Sequence, residues 1–225
     1  MPSPFDQSAY QVRLEWGVEG LARLAPADVV VVVDVLRFSS TLPDAVASGG
    51  AIDLADAREW SSNGAAVAAA AAATAPASAP VAVLVGGLRN ASAVARAVQR
   101  MQERRRARTS VNVIAAGERD ADGVLRVAVE DQLGAGAILA VLTDLGIDHT
   151  SPEAAFAAEG FRALKGALRH LLTASGSGRE LEIGVASTAR MALSGIRPAS
   201  VAEAAELDAT DVVPVLRDGR FTAFG

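Results

Sequence analysis

The chain has no cysteine among its 225 residues. That excludes disulfides and thiolate metal sites, and it suits a reducing compartment. Aromatic residues make up only 4% against 51% hydrophobic residues overall, so alanine, valine and leucine must do the packing. The two histidines, His149 and His170, belong to no ligand pattern, which argues against zinc. No run of about eighteen apolar residues occurs, and the alanine stretch 65–73 is too short and too weakly hydrophobic to span a bilayer. The opening MPSPFDQSAY carries an acid and lacks the basic-then-apolar pattern of a secretory signal, so a cytoplasmic protein with no membrane partner is expected. An excess of basic residues is missing too. The net charge is −5, which disfavours nucleic acid as a partner. Arg104, Arg105, Arg106 and Arg108 form a basic run, but it closes a helical stretch, where cations complement the helix dipole and face solvent.

Against these absences stands an unbroken valine run, Val29–Val33, ending in Asp34. Such a run predicts a strand buried on both faces, as in a parallel sheet. After VLRFSST, Thr41 is expected to cap a helix, with Pro43 in its first turn and Asp44 at N3. Gly49-Gly50 would stop that helix, and 51–55 reads as the next strand, giving a βαβ unit. Asp56 would cap a short helix ending at Trp60, with Asn63-Gly64 as its stop. The alanine-rich 65–80 leaves helix and linker both open.

A second unit follows: strand 81–85, loop GGLRNA, helix 92–106 and strand Val111–Ala115. The polar loop AAGERDADG leads to a helix with Glu130 and Asp131 in its first turn. Ser151 and Pro152 open a long helix to about Leu172, ended by Gly176-Ser177-Gly178. Ser200 and Glu203 form a capping box, and 212–216 with 220–224 read as a C-terminal β-hairpin around Asp218-Gly219. A first strand, 11–16, precedes all of this; its Glu15 and Trp16 read as packing.

The two units echo one another. At an offset of 52 residues (34 to 86), DVLRFSST falls on GGLRNASA, matching Leu36 with Leu88, Arg37 with Arg89 and Ser40 with Ser92. Open α/β sheets bind ligands beyond the carboxyl ends of their strands, and helix starts there attract anions. An arginine at each start makes phosphate or sulfonate the natural guest; coincidence between two ordinary βα turns is the plain alternative. Asp34, at the end of a core strand, needs an arginine, a metal or a backbone to satisfy it. Glu118, Glu130 and Asp131 all lie on the connection after Val111–Ala115. Oxygen-only clusters of this kind suit Mg²⁺, although acids in a helix's first turn also stabilise its dipole. No GxGxxG or GxxxxGK[ST] is present, so a nucleotide-binding reading ranks last.

VVVVDVLRFSSTLPDAVASGGA, AAGERDADGVLRVAVEDQLGAGAI and AAELDATDVVPVLRDGRF, with GGLRNASAVARAV and QVRLEWG, resemble, in order, blocks of the 2-phosphosulfolactate phosphatases (ComB-like proteins), bacterial members among them. The resemblance implies one α/β domain over 1–225, with mainly parallel βαβ units in two related lobes near 1–80 and 81–225. It implies a Mg²⁺-dependent phosphatase that hydrolyses a small anionic phosphorylated metabolite, 2-phospho-3-sulfolactate, to sulfolactate and phosphate. Asp34, Arg37, Ser39, Ser40 and Thr41 fall on its first motif, Arg89 and Asn90 on the next, and Glu118, Glu130 and Asp131 on the following one. The expectation is therefore metal held by Asp34, Glu118, Glu130 and Asp131. Substrate would be bound by Arg37, Ser39, Ser40, Thr41, Arg89 and Asn90, with Asp34, Arg37 and Glu118 catalytic. A homo-oligomer stays open. The family's polar middle loop has no counterpart in 65–80, so the chain reads as a shortened member. The alternative is an impaired one that binds an anionic metabolite or a partner protein.

Overall fold

The computed structural model describes residues 3–47, 49–74 and 81–225. Its strands are β1 (Val12–Trp16), β2 (Val29–Val33), β3 (Ile52–Asp53), β4 (Ala82–Val85), β5 (Val111–Ala115), β6 (Glu118–Arg119), β7 (Leu125–Arg126), β8 (Pro214–Arg217) and β9 (Arg220–Ala223). Its helices are α1 (Gly17–Arg23), α2 (Phe38–Ala47), α3 (Leu54–Trp60), α4 (Gly64–Thr74), α5 (Ala91–Arg105), α6 (Val129–Asp144), α7 (Pro152–Leu164), α8 (Leu168–Ala174), α9 (Gly176–Ile183), α10 (Ala186–Leu193) and α11 (Val201–Ala204). Among the described residues no helix is long and apolar enough to cross a membrane.

Seven strands form one sheet in the order β1-β5-β2-β4-β8-β9-β3. The first four run parallel, and the C-terminal hairpin β8–β9 and the short β3 add an antiparallel edge. The valine run sits between β5 and β4. Val29, Val31 and Val33 pack under α5–α8, while Val30 and Val32 pack against α1–α4. With a helical layer on each face, the strand has no polar side to show, which is why its sequence does not alternate. Burying each such side chain contributes roughly 1.5–3 kcal/mol. The two βα stretches give neighbouring strands, β2 and β4, to a sheet that runs through both 1–80 and 81–225.

Several local expectations change. The strand at 51–55 shrinks to β3, which pairs antiparallel with β9 at the far edge, so β2-α2-β3 is not a βαβ unit. Asp53 pairs with Arg220 there, and Leu54 already begins α3, ahead of Asp56. The first helix starts at Phe38: the backbone carbonyl of Asp34 accepts the Ser39 N–H at 2.7 Å, so Thr41 lies inside α2 and is not its cap. Asn63-Gly64 opens α4 instead of stopping α3, so 64–74 is helix, while 75–80 lies outside the described residues. The long helix from Ser151 breaks at Leu164 into a 3-10 turn, Lys165–Ala167, and α8. Gly176-Ser177-Gly178 begins α9, because Ser175 accepts the Gly178 N–H and caps it. The caps at Ser151 and Ser200 stand as expected.

Candidate active site

Val33 of β2 pairs with Ala115 of β5, so the loops leaving these two strands run side by side. Asp131 staples them. Its Oδ1 accepts the Val35 N–H at 2.7 Å and its Oδ2 the Gly117 N–H at 2.9 Å. Burial, then the charges of Asp34 and Glu130, push its carboxyl well above the usual range, and the two N–H groups pull the other way. Both oxygens are thus taken up by backbone.

Asp34 stands above this staple. Its Oδ2 accepts from the Gly64 N–H at 2.9 Å and from Ser61 Oγ at 3.4 Å. A methyl group at Gly64 would come within 2.7 Å of that same oxygen and 2.6 Å of Phe38, so only glycine lets the start of α4 approach the carboxylate. Desolvation raises the Asp34 pKa; the Gly64 and Phe38 N–H groups oppose this and Glu130 adds to it. Glu130 is only 2% exposed. Glu118 leads the β6–β7 ribbon, accepting from Asn63 Nδ2 at 3.2 Å and Ser177 Oγ at 3.3 Å. Its carboxyl is pushed up to about 7 by burial first, then by the charges of Asp34, Glu130 and Glu180.

These groups border a cleft of about 370 Å³, lined among others by Asp34, Arg37, Glu118, Ser177, Glu180 and Arg190. Arg37 is half-buried and donates to Thr188 Oγ1 at 2.5 Å. Desolvation lowers its pKa and Asp34 opposes that. The acids, carried on β2, the ribbon and α9, thus share the cleft with two guanidinium groups at its α10 side.

A family model described as 2-phosphosulpholactate phosphatase matches residues 60–219, well over half of the chain. The chain belongs to this family. The match holds Arg89, Asn90, Glu118, Glu130 and Asp131, and it begins after the 34–41 loop. No curated protein matches the chain. Membership in the 2-phosphosulpholactate phosphatase family points to phosphatase chemistry on a small phosphorylated substrate.

Of the residues singled out in the sequence, Asp34, Arg37 and Glu118 share the cleft, and Glu130 acts electrostatically on Asp34 and Glu118. The others are held elsewhere. Ser39 Oγ accepts the Asp34 N–H, Ser40 Oγ donates to the Arg37 carbonyl, and Thr41 Oγ1 accepts the Ala199 N–H. Arg89 is buried and donates to the Ser40 carbonyl at 2.6 Å and to Asp44 at 2.7 Å. Asn90 is fully buried and bonds the backbone of Gly87, Val85 and Val212. None of these five lines the cleft. Conversely, Ser61, Asn63, Ser177, Glu180 and Arg190 do line it, and sequence reasoning missed them. The one available signal was Ser62-Asn63-Gly64, which sits at the start of a helix and not at its end.

Magnesium takes oxygen donors, often one or two carboxylates with waters completing the shell. The carboxylates of Asp34, Glu118 and Glu130 fit that chemistry by donor type. Among the described residues no three acids or histidines stand together as a ready-made metal site.

Proposed function

We propose that this chain is a Mg²⁺-dependent phosphatase that hydrolyses a small anionic phosphoester, such as 2-phospho-3-sulfolactate, to sulfolactate and phosphate. The observation that carries this reading is the meeting of Asp34, Glu118 and Arg37 in one cleft, over the buried Glu130, in a chain of a phosphatase family. Asp34 and Glu130 would hold the ion, with Glu118 beside them; Asp131, its oxygens committed to Val35 and Gly117, fixes the loops on which the ligands sit. When bound, the metal supplies positive charge against the phosphoryl oxygens. Arg37 holds the same group by paired N–H donors and neutralises charge that grows in the transition state. Glu118, which faces the cleft beside Asp34 and Arg37, would serve as its proton-transfer group.

The test is phosphate release with and without Mg²⁺ over a set of small phosphoesters that includes phosphosulfolactate. Release should need Mg²⁺, and Asp34→Asn should lose about a thousandfold or more. Full activity in that variant removes Asp34 from the mechanism. A second reading, an impaired member that binds an anionic metabolite or a partner protein, draws on the missing three-ligand group among the described residues. Binding of the esters with no turnover under any divalent ion would favour it.

A further inference from the structure

The proposed chemistry leaves Arg190 without a task. Ser187, Arg190 and Met191 of α10 all line the cleft, and their spacing of three and four residues puts them on one helical face. Met191, 2% exposed, is packed into the core layer with Phe38 and Trp60, so the face is anchored and the neighbouring Arg190 is carried over the cleft. A cation in the last turn of a helix complements the dipole wherever it points, but that does not explain why it lies on the cleft face. None of the salt bridges among the described residues uses Arg190. Arg37, the other guanidinium in the cleft, is also held at α10, by Thr188, and lies three residues after Asp34, whose charge acts on it. The cleft therefore holds two guanidinium groups in different settings: Arg37, tied to Thr188 and under the charge of Asp34, and Arg190, which no carboxylate among the described residues pairs.

Resting on the phosphatase reading above, we propose that Arg190 is a specificity-determining residue that grips an anionic group of the substrate remote from the phosphoryl group. A carboxylate or a sulfonate fits, since each offers coplanar or forked oxygens to the donor fork of an arginine. Arg37 serves the reacting end and Arg190 the far end. Substrates lacking the second anion gain nothing from Arg190.

A matched pair of esters isolates the effect: 2-phospholactate, and isopropyl phosphate, in which a methyl group replaces the carboxylate. In Arg190→Gln, KM for 2-phospholactate should rise roughly ten- to a hundredfold with kcat little changed, as the loss of a charge-assisted bond implies. Isopropyl phosphate should keep its kcat/KM within about twofold, and Arg190→Lys should recover part of the loss. Arg126→Gln is the control, because that guanidinium lies outside the cleft against Gly176, where a methyl group would meet it at 2.8 Å. It should not separate the two esters. Equal losses on both esters, no loss on either, or the same discrimination in the Arg126 variant overturns the proposal. If neither ester is turned over, the phosphatase reading is judged by phosphosulfolactate itself, and calorimetry decides the role of Arg190. Arg190→Gln should then weaken binding of 2-phospholactate and leave inorganic phosphate unchanged; equal binding by wild type and variant overturns it.

Discussion

The loop that leaves β2 and the loop that leaves β4 carry the same Leu-Arg-x-x-Ser pattern, end neighbouring parallel strands, and do opposite work. The first opens on Asp34 and turns Arg37 into a cleft. The second opens on Gly86, where a side chain would meet Val94 at 2.8 Å and Ile138 at 2.9 Å, so no group can project. Its Arg89 turns sideways and ties down the carbonyl of Ser40 and the carboxylate of Asp44, both on the first loop's helix α2. In the structure, then, the first loop faces the cleft and the second braces it. What separates them is packing above the strand end: α6 and α5 close over Gly86, while α4 meets Asp34 only through the backbone of Gly64.

The largest expected effect crosses the two arginines. Arg37→Gln should lower phosphate release by about a hundredfold or more, with folding stability held within about 0.5 kcal/mol because its side-chain partner among the described residues is a hydroxyl. Arg89→Gln should do the reverse. It loses two charge-assisted bonds, each worth about 1.5–3 kcal/mol, so unfolding should come several degrees lower, at about 2–4 °C per kcal/mol. Turnover per folded molecule should stay close to wild type. Thermal melts beside phosphate-release assays check both, and an Arg89 variant that is stable but inactive would return that residue to the substrate.

A smaller contrast uses the glycines. Gly64→Ala must push Asp34 and Phe38 aside, so activity should fall about tenfold along with a stability loss of about 1–3 kcal/mol. Gly86→Ala meets only Val94, Ile138 and Val31, and should cost stability of the same order with no separate effect on turnover.

The comparison also explains what could be read from the chain beforehand. Features settled by adjacent residues were legible: the valine strand, the Ser151-Pro152 and Ser200 caps, the hairpin turn at Asp218-Gly219. Features settled by distant partners were not. Gly64 looked like a helix stop because its N–H is met by Asp34, far away in sequence. Thr41 looked like a cap because nothing local shows that its oxygen takes the Ala199 N–H. Arg37 and Arg89 share the Leu-Arg-x-x-Ser frame, and tertiary packing tells them apart. The 176–199 region, which supplies Ser177, Glu180 and Arg190, has short helices with few apolar anchors beyond Met191, and its pattern is correspondingly faint.

The smallest effect concerns the segment that holds both loops at once. The N–H of Ala199 bonds Thr41 on the first loop's helix, and past α11 the N–H groups of Asp208 and Thr210 bond the carbonyls of Leu88 and Arg89 in the second loop. Between them, Ser200 caps α11 through the Glu203 N–H, and Glu203 pairs back with Ser200 and Arg197. Those contacts, Arg197 first, hold the Glu203 carboxyl at about 2. Its unfolded value is near 4.3. A depressed acid stabilises the fold above its unfolded pKa, and the gain fades as pH falls from about 4.3 toward 2. The pair is solvent-exposed, so the gain is modest. Glu203→Gln should therefore melt about 1–3 °C below wild type near neutral pH, and the two should converge as pH falls toward 2. Ser200→Ala, which removes the cap itself, should cost about 1 kcal/mol, most of it persisting in acid. If the Glu203 deficit stayed constant with pH, its role would be packing and not charge. If Ser200→Ala also lowered turnover per folded molecule, α11 would be steering the working loop and not only bracing it.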